Sequence, residues 1–336
     1  MVRHSGAKSA AAVDAQVLDE TWAASVLPRR GAGAHKWGVG GLVVVAGSSA
    51  FAGAAALCCA AAARSGAGIV SAALPRSIAH IVVGLVPEVT VVMLPEGEGK
   101  ATASRSAEII GERLGRSAAM IVGPGLGDDE ATATLLGMLF GFTRTRSGIG
   151  FSSGGSGGGD ESQAGVIAAA EKPILVDADA LNWLATQERW WERVPPGRLV
   201  LTPHVGEMAR LIHDEIDNVL ANPPGVARDA ASQWGQTVVL KGSPTHVAAP
   251  DGVLWSVESP PALASAGTGD ILSGSIGALL AQGLSGSDAA GLATYVGSRA
   301  AERVARHFGT LGLIASDLPQ AIAEELRALE LAEAGA

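Results

Sequence analysis

The chain reads as an α/β protein built on a mostly parallel central sheet with helices on both faces, and three observations lead there. Short, uninterrupted runs rich in Val, Ile and Leu recur along it, as buried parallel strands require. Several of these runs end in Gly, Ser or Asp, and helical segments separate them. The length of 336 residues and the 48% apolar content suffice for one large core or two smaller ones.

The elements follow in order. Met1-Val2-Arg3-His4 leads into a polar and alanine stretch without an apolar h-region, so no secretory signal is expected and residues 1–30 read as an N-terminal extension. Gly41 to Ala46 is the first buried strand, followed by Gly47-Ser48-Ser49 and an alanine-rich helix. Ile69 to Ala73 is a second strand. The apolar window Ile78 to Leu94 is interrupted by Gly84, Pro87 and Glu88, and Phe51 to Ala63 is too short, so neither is a membrane span. Further strands are Ala119 to Val122, before Gly123-Pro124-Gly125-Leu126-Gly127, and Ile174 to Val176, before Asp177-Ala178-Asp179. Leu199 to Leu201 and Val238 to Leu240 complete the parallel set. After them Thr245 to Ala248, Asp251-Gly252 and Val253 to Ser256 read as a hairpin at the sheet edge. The chain is helical from Gly269 onward, and 326–336 reads as a tail.

One segment breaks this rhythm. Ser147 to Gly159 is low in complexity and cannot offset its chain entropy by burial, so an insertion is placed at about residues 143–165. Gly154-Gly155-Ser156-Gly157-Gly158 matches the hydrolase pattern GxSxG, but neither the strand before it nor the helix after it is in place.

Charge and cysteines exclude several classes. With 24 basic and 33 acidic residues the net charge is −9, leaving no broad basic face for nucleic acid. Cys58 and Cys59 are neighbours on one helical stretch, where they cannot staple distant segments, and they read as buried, reduced thiols of a cytoplasmic protein. Neither a dinucleotide GxGxxG after the first strand nor a P-loop is present, and the 7 histidines lack HExxH spacing.

Ala266-Gly267-Thr268-Gly269-Asp270, running into an apolar stretch, is the most informative segment. Small residues let backbone N–H groups converge on a phosphate at a positive helix end. Asp270 in the first turn is placed to take a proton from a hydroxyl undergoing phosphorylation. Capping explains an isolated GTGD equally well. Lys241 at a strand end suits phosphate neutralisation, or is simply a solvated lysine.

In order, GLVVVAGSS, Phe51 to Ala55, VGPGLG at Val122 to Gly127, VDADAL at Val176 to Leu181, LTPHVGEM at Leu201 to Met208, VVLKGSPT at Val238 to Thr245 and GTGDILSG at Gly267 to Gly274 resemble the ADP-dependent NAD(P)H-hydrate dehydratases. The resemblance covers about residues 30–325, and the domain is set at 31–325. It implies a ribokinase-like fold and ADP-driven dehydration of the S epimers of NADHX and NADPHX, with AMP and phosphate released. It further implies Mg²⁺, a homotetramer, and no membrane partner. By the same resemblance Asp270 is the catalytic base. Ala54, Gly125, His204 and Asp270 contact the hydrate, and Lys241, Gly242, Ser243, Pro244, Thr245 and Gly269 contact the nucleotide. Glu207 is a candidate ligand of Mg²⁺-bound water. Asp177 and Asp179 support the site or cap the next helix, and His35 and Lys36 guard the phosphate side.

Departures from the family pattern are Ser265 and Ala266 before GTGD, and Tyr295-Val296-Gly297 where a His-Gly pair is usual; this position is expected to be peripheral. The short N-terminal segment leaves no room for the family's epimerase domain, so a separate epimerase is expected for the R hydrate. Two other classes remain: an ATP-dependent vitamin-precursor or sugar kinase of the same fold, and a silent nucleotide-binding protein.

Overall fold

The computed structural model describes residues 15–143 and 165–334. Nearly all of the Gly/Ser-rich insertion, its GxSxG match included, lies outside them. Among the described residues ten strands form one sheet: β1 (Gln16–Val17), β2 (Gly41–Val45), β3 (Ile69–Pro75), β4 (Thr90–Leu94), β5 (Ala119–Val122), β6 (Ile174–Val176), β7 (Leu199–Leu201), β8 (Thr237–Leu240), β9 (Thr245–Ala248) and β10 (Leu254–Val257). Their order is β1-β10-β9-β8-β7-β6-β5-β2-β3-β4. Pairing is parallel from β8 across to β4, in register Val43 to Met120 and Val44 to Ala72, and β9 runs antiparallel to both neighbours.

Residues alternate across the sheet as the two-residue period demands. Leu42 and Val44 enter one core with Ile121, Leu175 and Val200. Val43 and Val45 enter the other with Met120, Val122, Val176 and Leu201. The first core is covered by the helices Ala52–Arg64, Thr268–Ala281, Gly286–Phe308 and Leu318–Ala334. The second is covered by Lys100–Gly115, Glu130–Leu139, Val205–Ile212 and Pro223–Trp234, among others. Both faces of the strands are therefore apolar, and uninterrupted Val/Ile/Leu runs are the result.

The chain winds from β2 outward to β4, then returns to β5 and winds the other way. This reversal between β2 and β5 is the switch point at which open α/β sheets bind ligands, beyond the carboxyl ends of their strands.

Several sequence expectations change. Thr90–Leu94 is a seventh parallel strand hidden in the interrupted apolar window. The hairpin's second strand is displaced by one residue, and Gln16–Val17 pairs outside it, so it does not form the edge itself. Residues 16–26, read as part of an extension, supply this strand and the helix Glu20–Val26, and the final helix continues through the 325/326 boundary.

The helices Ala52–Arg64 and Thr268–Ala281 lie unusually close. A Cβ on Gly274 would stand 2.2 Å from the carbonyl oxygen of Cys58. Cys58 and Cys59 are free and fully buried, and burial pushes the Cys59 thiol up to about 12.

Candidate active site

The residues after β6 and β8 meet at the start of the helix Thr268–Ala281, and the residues after β7 are bridged to Lys241 beside them. Gly267 enters this helix with φ +87, a conformation that costs a residue with a Cβ, and a Cβ here would meet Leu57 at 2.6 Å. No side chain caps the helix. Asp270 is thus not an N-cap, and the helix start keeps its positive end for an anion.

Lys241 follows β8. Its ammonium lies 3.6 Å from the point where a Cβ would sit on Gly269, so cation and helix end address the same space. It is held there by Asp177, the residue after β6, through an ion pair of 2.9 Å. Asp177 is buried, and its other oxygen accepts a 2.6 Å hydrogen bond from the Ser273 hydroxyl. Ser273 was not anticipated from sequence, although it lies three residues after Asp270 and hence near the same helix face. Burial alone would lower the Lys241 pKa, but Asp177 and Glu207 hold it raised, so the side chain is a cation.

Asp270 has the opposite balance. Burial pushes its carboxyl up to about 7, Asp177 and Asp179 push the same way, and Lys241 opposes them. A carboxyl with this pKa exchanges a proton near neutral pH, which is what a general base at a phosphoryl-transfer site needs.

Beside this centre a cavity of about 350 Å³ is lined by Lys241, Gly242, Ser243, Thr245 and Gly269, with Leu263, Ile271, Leu272, Leu318 and Ile322 as apolar wall. Five of the six proposed nucleotide contacts therefore share one pocket; Pro244 shapes the turn without lining it. Thr245 anchors that turn, since its hydroxyl donates to the Gly242 carbonyl at 3.1 Å and bonds Ser259 at 3.0 Å. Gly297, expected to be peripheral, lines the same cavity next to Ser298.

Ala54 and Gly125 come together from opposite sides of the switch point. A Cβ on Gly125, where φ is +64, would stand 2.8 Å from the Ala54 Cβ. The loop carrying Gly125 is pinned twice: the Gly47 N–H donates to the Pro124 carbonyl at 2.8 Å, and the Gly127 N–H to Asp179 at 2.8 Å. Asp179 therefore secures this loop from the other side of the β6 end.

His204 is bridged to Lys241 along the backbone, and the Lys241 N–H donates to the Pro203 carbonyl at 2.8 Å. Its ring caps the helix Val205–Ile212, with Nδ1 accepting from the N–H groups of Gly206 and Glu207. Glu207 returns the bond to the His204 N–H at 2.8 Å. This reciprocal box accounts for the Glu207 carboxylate, which is only 6% exposed and also lies 3.8 Å from Lys241. Among the described residues no group of three or more His, Cys, Asp or Glu is placed to hold a metal ion.

His35 and Lys36 sit elsewhere. His35 caps the short helix Lys36–Val39, and the following Gly40 backs onto the carbonyl of Ala281, the far end of the helix that begins beside Asp270. At ~1.5 Å per residue those ends are about 20 Å apart, so this pair does not guard the phosphate.

Comparison with known proteins gives the family and the fold. The family described as NAD(P)H-hydrate dehydratase matches residues 42–147 and 155–324. A bifunctional NAD(P)H-hydrate repair enzyme of Moorella thermoacetica is 34% identical over 94% of this chain and 54% of its own length. The chain spans about half the length of the curated relatives it matches. An ADP/ATP-dependent NAD(P)H-hydrate dehydratase from Bacillus subtilis, co-crystallised with ATP and Mg²⁺, superposes with a TM-score of 0.74 at 25% identity, covering 95% of this chain and 100% of that one. A ribokinase-like superfamily protein of Enterococcus faecalis has the same fold, with a TM-score of 0.73 at 21% identity over 94% of this chain and 96% of its own. With the fold, the GTGD helix start and the family match in agreement, the chain belongs to the NAD(P)H-hydrate dehydratase family.

Proposed function

We propose that the protein converts the S epimers of NADHX and NADPHX back to NADH and NADPH, using ADP and releasing AMP and phosphate. The observation that carries this reading is a half-buried carboxyl with a pKa near 7, Asp270, in the first turn of an uncapped helix beside the Lys241 ammonium. Asp270 takes the proton of the hydrate hydroxyl as its oxygen attacks the terminal phosphorus of ADP. The bond from that phosphorus to the AMP oxygen breaks, and Lys241 with the helix-end amides stabilises the charge on the transferring group. Phosphate then departs with the carbon–oxygen electron pair while the neighbouring ring carbon loses a proton, and the double bond re-forms. Hydroxide is a poor leaving group and phosphate a good one, which is the reason for spending a nucleotide.

In this reading the nucleotide lies along Lys241, Gly242, Ser243, Pro244, Thr245 and Gly269, and the hydrate meets Ala54, Gly125 and the exposed edge of His204. Magnesium fits as a counterion carried by the phosphates, since Asp177 and Glu207 are engaged with Lys241. The working unit is the domain set at 31–325 together with the strand Gln16–Val17, the helix Glu20–Val26 and the end of the last helix that complete it, assembled as a cytoplasmic homotetramer. No described helix is long and apolar enough to cross a membrane, and the buried, free Cys58 and Cys59 suit a reducing compartment.

The test is incubation with the S hydrate of NADH, ADP and Mg²⁺ while the absorbance of reduced nicotinamide is followed. Recovery of absorbance with AMP formed in step is the expected result; no recovery with ADP or ATP rejects the reading. Light scattering checks the tetramer.

A further inference from the structure

A second cavity, of about 440 Å³, opens over the carboxyl ends of β2, β3, β4 and β5, across the switch point from the Lys241 cavity. Its volume falls within the ~300–1,000 Å³ typical of small-molecule sites. Gly47 and Leu126 contribute to its wall. They belong to the two loops joined by the Gly47–Pro124 hydrogen bond, and Gly125, next to Leu126, is the residue packed on Ala54. A ligand with its reacting ring at Ala54 and Gly125 therefore has this cavity as its neighbour.

The chemistry of the wall is specific. Leu94, Leu126 and Leu135 give it apolar surface, and Ser77, Thr102 and Thr132 bring hydroxyls. Among the described residues its charged lining is Glu96 and Asp129, with no Lys, Arg or His. Arg76 and Lys100, the cations nearest in sequence, are exposed and lie outside the lining. Both carboxylates are held by backbone: Glu96 accepts from the Ser77 N–H at 3.2 Å, and Asp129 from the Thr132 N–H at 2.7 Å. Each keeps a second oxygen as an acceptor. Carboxylates without a cation suit the hydroxyls of a ribose and repel a phosphate on it.

We infer that this cavity takes the adenosine half of the dinucleotide substrate and reads its ribose through Glu96 and Asp129, so that the 2′-hydroxyl form is preferred over the 2′-phosphate form. The inference rests on the dehydratase reading for its substrate, and a binding measurement separates the two. With the full-length protein, the nicotinamide fluorescence of NADH and NADPH reports binding without turnover. NADH is expected to bind more tightly, by on the order of tenfold. Glu96→Gln narrows that ratio, Glu96→Lys inverts it, and Thr102→Trp, which fills the cavity, weakens both ligands. Equal or NADPH-favoured binding by the unaltered protein, or a ratio indifferent to Glu96→Lys together with affinities indifferent to Thr102→Trp, overturns the inference. If binding follows the expected pattern but neither hydrate is turned over, the subsite stands and the dehydratase reading falls. If both hydrates are turned over equally well and the variants change nothing, the reverse holds.

Discussion

Asp270 is held near neutrality by two opposed influences, burial with the Asp177 and Asp179 charges on one side and Lys241 on the other. As a base it must be deprotonated, so kcat/KM should fall as pH drops through about 7. Asp177→Asn removes a charge that raises this pKa, so the acid limb should move to lower pH while the KM for ADP rises because Lys241 loses its anchor. Asp270→Asn should retain nucleotide binding and lose turnover by a factor on the order of 10² or more. The sign for stability is the reverse: a carboxyl whose folded pKa exceeds its unfolded value favours folding when protonated, a contribution fully present below the ordinary value of 3.8 and lost as pH rises from there through about 7. The Asn variant should therefore melt at a higher temperature than the parent at alkaline pH. His204 has two roles to separate. His204→Ala removes a cap and should cost about 1 kcal/mol in denaturant unfolding, whereas His204→Asn keeps a capping oxygen. If the imidazole edge meets the hydrate, the Asn variant unfolds like the parent yet shows a raised KM for the hydrate.

Among the elements, the close pair Ala52–Arg64 and Thr268–Ala281 sets where the GTGD turn stands. Gly274→Val has no room beside the Cys58 carbonyl, so the helices must part at a cost of roughly 1–3 kcal/mol. Thermal unfolding should register this loss, and turnover should fall with it because Asp270 lies one turn earlier. The central strands were legible because both of their faces are buried, which writes Val43, Ile121 or Leu175 as unbroken apolar runs. Thr90–Leu94 was not, because Pro87 and Glu88 interrupt its approach and an outer strand exposes residues such as Met93. Gln16–Val17 is too short to carry a pattern. At the site, the motif residues Asp270, Lys241 and Thr245 could be read locally. The Asp177–Ser273 bond joins residues 96 apart, and such pairing exists only once the sheet has brought strand end and helix together. For Glu207 and His204 the family resemblance implied ligand roles, whereas the reciprocal capping box between them shows only in the folded chain.

The whole molecule is one sheet between two cores, and its ligand space is divided over the two arms of that sheet. AMP or ADP, binding the folded state alone, should stabilise it by about 2.7 kcal/mol at a hundredfold excess over Kd and so raise the melting temperature. Lys241→Met should abolish most of that gain in a thermal-shift titration. One further property follows from β6 ending in Asp177 and Asp179, of which the first steadies Lys241 and the second secures the loop of Gly127. Strain applied from either arm reaches the same three-residue strand. Occupancy by AMP should then alter the affinity for NADH by some factor, and thermodynamic reciprocity obliges NADH to alter that for AMP by the same factor. A pair of crossed titrations measures both numbers independently, and their common value gives the free energy that this narrow divider transmits.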